Sequence, residues 1–182
     1  MKARIFIGSS TEGLPVAQRI KEYFEPEYDC YIWNDGIFKY NEGFLETLIK
    51  SASLFDFGFM VFAADDVSRI RDKEYITTRD NVLFEYGLFL GRVGLDKAYI
   101  IKDKEVKIPS DMLGITLLEY ETTANEDGAK VPNDDFENHL SELKKNIDEK
   151  VALGYLGLFP STVIAISYFE NFFKLLTDEI IR

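Results

Sequence analysis

The sequence predicts an α/β domain, a parallel sheet with helices on both faces. Three observations carry that expectation. Short apolar runs alternate with amphipathic segments as far as Tyr120, and each run closes in a polar stretch. The chain has 182 residues, 46% of them hydrophobic, which suits one ordinary domain plus a short appendage. With 29% charged residues it is too apolar to be a disordered segment.

The first apolar run, ARIFI (3–7), reads as a strand closed by the loop GSSTEG (8–13). A helix follows with Leu14, Ala17, Ile20 and Phe24 on one face. Pro15 fits its first turn, where a missing N–H costs nothing, and Pro26 stops it. DCYIW (29–33) is the second strand and NDGIFKYNEG (34–43) its loop. Residues 44–52 read as a helix, LFDFGFMVFA (54–63) as a buried strand and 64–78 as a polar connection. Residues 79–92 form the next helix, KAYIIK (97–102) a strand and ITLLEY (115–120) an edge strand. Within the acidic stretch 121–150, residues 133–149 read as a helix with Phe136, Leu140, Leu143 and Ile147 on one face. From 151 onward the chain turns apolar and aromatic, and the helix pattern over 163–176 reads as the start of a second module or an oligomer contact. Such sheets have right-handed crossovers and bind ligands beyond the carboxyl ends of their strands, here 8–11, 33–43 and 63–78.

Composition excludes several functions. Twenty-one basic residues against 32 acidic ones give a formal charge of −11, a poor balance for gripping duplex nucleic acid. One histidine, His139, and one cysteine, Cys30, build neither a His/Cys zinc site nor a disulfide framework. The cysteine usage suits a reducing cytoplasm. The N-terminus turns polar too soon for a secretory signal, and no apolar run reaches the ~18 residues of a membrane span. Cys30 falls in a strand and reads as buried and inert, and His139 as a solvent-facing helix residue.

The candidate chemistry is concentrated in TTRDNVLFEYGLFLGR (77–92). Thr78 suits a helix cap and Asp80 the positive first turn. Glu85 is a carboxylate in an otherwise apolar run, which is expensive unless something uses it. Asn81, four residues earlier, shares its stripe. Glu85 is therefore either a catalytic or ligand-binding group with a raised pKa, or half of a structural ion pair with Arg79 or Arg92. Ser9, Ser10 and Thr11 form either a cradle for phosphate or ribose at a helix start, or an ordinary capping loop. The loop lacks both the Walker pattern and G-x-G-x-x-G. Trp33, Asn34, Asp35, Phe38 and Tyr40 make an aromatic loop fit to stack on a base or to contact a protein.

Together RIFIGSSTEG (4–13), the loop after YIW (31–33), FDFGFMVFAADD (55–66) and RDNVLFEYGLFLGR (79–92) resemble bacterial TIR-like nucleotide-binding domains. The resemblance is closest to the TIR half of bacterial TIR-STING effectors of antiphage defence. The tail LGLFPSTVIAISYFENFF (156–173) is similar to the opening helix of their STING module. The resemblance implies a flavodoxin-like TIR fold over 1–150, followed by a linker and STING-like first helix over 151–182. It implies an NAD⁺ glycohydrolase that uses NAD⁺ as substrate, with no other cofactor and no metal. Glu85 aligns with the family's catalytic glutamate; Ser9, Ser10, Thr11, Trp33, Asn34, Phe38 and Asn81 are the expected substrate contacts. The implied trigger is a cyclic dinucleotide, typically cyclic di-GMP, bound by the rest of the STING module. A chain ending at Arg182 is accordingly expected to be part of a longer protein. Self-association into dimers and filaments then completes the NAD⁺ sites, in the cytoplasm and without a membrane. Two alternatives stand beside this reading: a non-catalytic TIR assembly domain, and a nucleoside deoxyribosyltransferase-like enzyme, which also cleaves an N-glycosidic bond with a glutamate.

Overall fold

The computed structural model describes residues 2–36, 48–49, 52–112, 117–124 and 130–153. Its elements in chain order are β1 (Arg4–Ser9), α1 (Leu14–Phe24), β2 (Asp29–Ile32), β3 (Phe57–Phe62), β4 (Asp66–Ile70), β5 (Lys73–Thr77), α2 (Asp80–Val93), β6 (Ala98–Asp103), β7 (Leu117–Tyr120), β8 (Thr122–Ala124), β9 (Lys130–Pro132) and α3 (Phe136–Ala152). Five strands form one parallel sheet in the order β2-β1-β3-β6-β7. With the β4–β5 hairpin set aside, this is the doubly wound order 2-1-3-4-5, which reverses direction between β1 and β3. The sheet and its helices match the expected flavodoxin-like TIR arrangement.

The central strand explains the buried run in the sequence. All six residues of β3 are buried, because helices cover both of its faces. Alternation then divides the core in two. Ile5, Ile7, Phe57, Phe59 and Val61 meet α1 through Ala17, Ile20 and Phe24, and α3 through Phe136, Leu140 and Ile147. Phe6, Met60 and Phe62 point the other way and meet α2 through Val82, Tyr86 and Phe89. Gly58 lets α2 come close: a Cβ there would lie 2.6 Å from Phe89 Cδ1. Cys30 is buried in β2, and burial pushes its thiol up to about 12. No helix among the described residues is long and apolar enough to cross a membrane.

The structure corrects several expectations. The connection 64–78 contains an antiparallel hairpin, β4 with β5, turning at Arg71 and Asp72 with φ of 48° and 62°. Two successive positive φ values match the twist of a two-residue hairpin turn. A second antiparallel pair, β8 with β9, occupies part of the acidic stretch. The helix expected over 133–149 is α3, which runs from Phe136 to Ala152. The expected edge strand is β7, paired in parallel with β6. His139 does not simply face solvent: it is half-buried, and its Nδ1 is enclosed without a partner. Of the helix expected over 44–52, Leu48 and Ala52 are described and buried. Phe38, Tyr40 and the apolar segment 154–182 lie outside the described residues.

Candidate functional site

The reversal between β1 and β3 sets the ends of these strands side by side, with Gly8 opposite Met60 and Ser9 opposite Val61. The same place is where doubly wound sheets bind ligands. Phe89 of α2 stacks on Phe6 at 4.6 Å between ring centroids. That contact anchors α2 across the sheet, and one turn earlier Glu85 projects over Gly8. A Cβ added at Gly8 would sit 3.3 Å from Glu85 Oε2 and would collide with Met60 Sδ. Glycine is needed here for close approach.

Glu85 is 7% exposed, and its Oε2 is enclosed without a hydrogen-bond partner. Burial alone pushes its carboxyl up to about 7. The ion-pair reading finds no partner for it. Arg79 instead binds Glu12 at 2.6 Å, and Arg92 is exposed. A buried carboxylate without a partner, at a sheet's ligand-binding end, has the features of a functional group rather than a structural one.

The neighbouring loops are tied together. Ser9 and Ser10 are both buried. The Trp33 indole N–H donates to Ser9 Oγ at 3.1 Å, joining the ends of β1 and β2. Gly13 N–H donates to Ser10 Oγ at 3.0 Å, and Ser10 in turn hydrogen-bonds Asp65 beyond β3. Asp65 also accepts from the Arg79 backbone N–H at 3.1 Å. Its carboxyl is raised above the usual range, mainly by burial and against the pull of Ser10. Thr11 and Asn34 are exposed at the rim, and Asn81 is exposed in the first turn of α2. Glu85, Ser9 and Ser10 are buried and Trp33 is tied to Ser9, which follows Gly8 on the α1-facing side of β1, whereas Thr11, Asn34 and Asn81 are in solvent. Sequence reasoning missed Gly8 and Asp65; a Gly directly after an apolar strand was the available signal for the first.

Thr78 does not cap α2. The N-cap position is Arg79, no side chain bonds the cap, and Thr78 Oγ1 is enclosed without a partner. Among the described residues no group of three His, Cys, Asp or Glu side chains is arranged to hold a metal ion. Two larger grooves lie elsewhere. One of 570 Å³ runs between β7 and α3 past His139, and one of 740 Å³ lies under the β4–β5 hairpin; Glu85 lines neither.

The buried carboxyl has a thermodynamic signature. Its folded pKa lies above its unfolded one, so its contribution to stability is complete below about 4.5 and is lost as pH rises through about 7. Ionisation therefore costs the fold on the order of 3 kcal/mol. Glu85→Gln is expected to melt several degrees above wild type near pH 8, with the difference shrinking towards pH 5. Thermal melts of both proteins across that range check it; a difference that does not change with pH contradicts the burial argument.

Comparison with known proteins gives the surrounding family. The model for "CAP12/Pycsar effector protein, TIR domain" matches residues 4–122, from β1 into β8. CD-NTase-associated protein 12 of Lachnospiraceae bacterium (strain RUG226) is 65% identical over 182 residues, 100% of this chain and 58% of the relative. The protein of that name from Flavobacterium daejeonense is 52% identical over 180 residues, 99% of this chain and 57% of its own. Pycsar effector protein XpPycTIR of Xanthomonas perforans is 36% identical over 129 residues, 69% of this chain and 43% of its own. The chain spans little more than half the length of these CD-NTase-associated relatives.

Proposed function

Because the chain belongs to the CAP12/Pycsar effector TIR-domain family, we propose that it is the NAD⁺-cleaving part of an antiphage effector that answers a cyclic-nucleotide signal. The observation that carries the chemistry is Glu85, buried, unpartnered and set against Gly8 at the reversal of the sheet. The signal half of the proposal rests on the relatives' names, and on alignments to CD-NTase-associated proteins that run through the apolar tail. The XpPycTIR alignment covers only 69% of the chain. The finer reading is a cyclic dinucleotide, cyclic di-GMP, bound by a STING-like module that the apolar tail begins, with assembly into filaments switching cleavage on.

The reaction makes modest demands. O-glycosidases pair two carboxyl groups because the leaving oxygen must be protonated. In NAD⁺ the leaving nitrogen is already cationic. It takes the bond electrons and departs as neutral nicotinamide without an acid. What remains is positive charge on the ribose, spread between C1′ and the ring oxygen. Glu85, ionised, accepts hydrogen bonds from the ribose hydroxyls and sets negative charge beside that centre before it develops. Water then adds at C1′ and releases its proton, giving ADP-ribose. Ser9 and Ser10, in the turn that closes β1, are assigned to the ribose or pyrophosphate, and Trp33, hydrogen-bonded to Ser9, to a ring of the substrate.

Chromatography of NAD⁺ incubated with concentrated or artificially clustered protein tests the proposal. Nicotinamide and ADP-ribose are expected in equal amounts, with little turnover when the protein is dilute. Base exchange on 2′-deoxynucleosides without NAD⁺ cleavage would replace it with the deoxyribosyltransferase reading. Neither activity under clustering would leave an assembly domain.

A further inference from the structure

A separate cavity lies across α2 from Glu85. Its volume is 740 Å³, within the range of small-molecule sites. The β4–β5 hairpin and residues 107–110 wall it, and the start of α2 contributes Thr78, Asp80 and Leu83. Leu83 and Glu85 are two residues apart, roughly 200° around a helix, so the two sites use different faces.

The lining is basic in an acidic chain. Arg71, Lys73 and Lys107 reach the cavity against the single carboxylate of Asp80, whereas the protein carries −11 overall. The ion pairs among the described residues include none of these three cations; Lys107 Nζ rests 3.5 Å from the Tyr75 ring centroid. An independent observation comes from Thr78. It is 8% exposed, it lines the cavity, and its Oγ1 has no partner. No side chain caps α2, and of its first N–H groups those of Asp80 and Asn81 are unclaimed, Val82 already donating to the Arg79 carbonyl. An anion satisfies all of these donors at once. Ile70, Leu83 and Ile108 supply apolar wall for an uncharged part of the same molecule.

We propose that this cavity binds the phosphate group of a small phosphorylated ligand, at a site distinct from that of Glu85. The Thr78 hydroxyl donates to one phosphate oxygen; the Asp80 and Asn81 N–H groups, Lys73 and Lys107 take the others. Asp80 sets the limit on charge, leaving the cavity cationic by three against one.

Amide NMR titrations of the protein with ADP, and separately with inorganic pyrophosphate, test it. Shifts centred on Lys73, Thr78, Asp80 and Lys107 are expected. If both probes produce them, the phosphate alone is recognised; if only ADP does, recognition extends to the nucleoside. Either result supports the site. Thr78→Val keeps the side-chain shape and is expected to weaken binding roughly 10-fold. Lys73→Glu with Lys107→Glu should weaken it further, while Lys145→Glu on exposed α3 surface controls for net charge. No shift with either probe, shifts confined to residues 8–11 and the surroundings of Glu85, or unchanged binding by the Thr78 and lysine variants would overturn the proposal.

Discussion

Glu85→Gln is expected to lower NAD⁺ cleavage by roughly 10²–10³-fold and to leave the protein folded. Glutamine keeps the length and hydrogen-bonding capacity of the side chain and removes only the charge. That charge has no structural partner to abandon, since Oε2 is enclosed without one. Its loss therefore falls on the reaction, where the developing ribose cation loses a carboxylate already in position. The same variant is expected to be more stable than wild type at neutral pH, because burial keeps the carboxyl near 7 and ionising it strains the fold. Loss of activity with gain of stability is a combination that a structural ion pair does not produce. Near-wild-type turnover would remove Glu85 from the mechanism, and an unfolded variant would restore the structural reading.

Phe89→Ala is expected to cost about 3–5 kcal/mol of stability, the usual range for truncating a fully buried ring. Phe89 is 0% exposed, stacks on Phe6 at 4.6 Å and meets Phe55 at 6.5 Å between centroids. Its ring also fills the space that Gly58 leaves open on β3. The pairing of β1 with β3 limits how far the backbone can close on the void. Glu85 stands one turn before Phe89, so a surviving fold should also bind substrate less well. Denaturant titration at matched pH reads the stability. A change under about 1 kcal/mol would mean that α2 is held by contacts other than this stack.

The strands and helices of the main sheet were legible because each buries a face, and burial writes itself into the spacing of apolar residues. Glu85 was legible for the converse reason, a charge where that spacing demands none. The β4–β5 hairpin left no such trace. Its residues are largely exposed, and Arg71-Asp72 carries neither the Asn nor the Gly that marks a tight turn. Thr78 looked like a cap by residue type, yet its hydroxyl ends up enclosed at the hairpin cavity. The proximity of Gly8 to Glu85 and the bond from Trp33 to Ser9 depend on strand order and register, which no local pattern encodes.

In the proposed mechanism Glu85 acts on NAD⁺ as an ionised carboxylate drawn from a buried site. The dependence of kcat/KM for nicotinamide release on pH, measured on clustered wild-type protein, tests it most directly. Since kcat/KM reports the free enzyme, the rate is expected to climb about tenfold per pH unit below an inflection at about 7 and to level off above it. A rate that is flat between about pH 5.5 and 8.5, or that falls as Glu85 ionises, would contradict the claim.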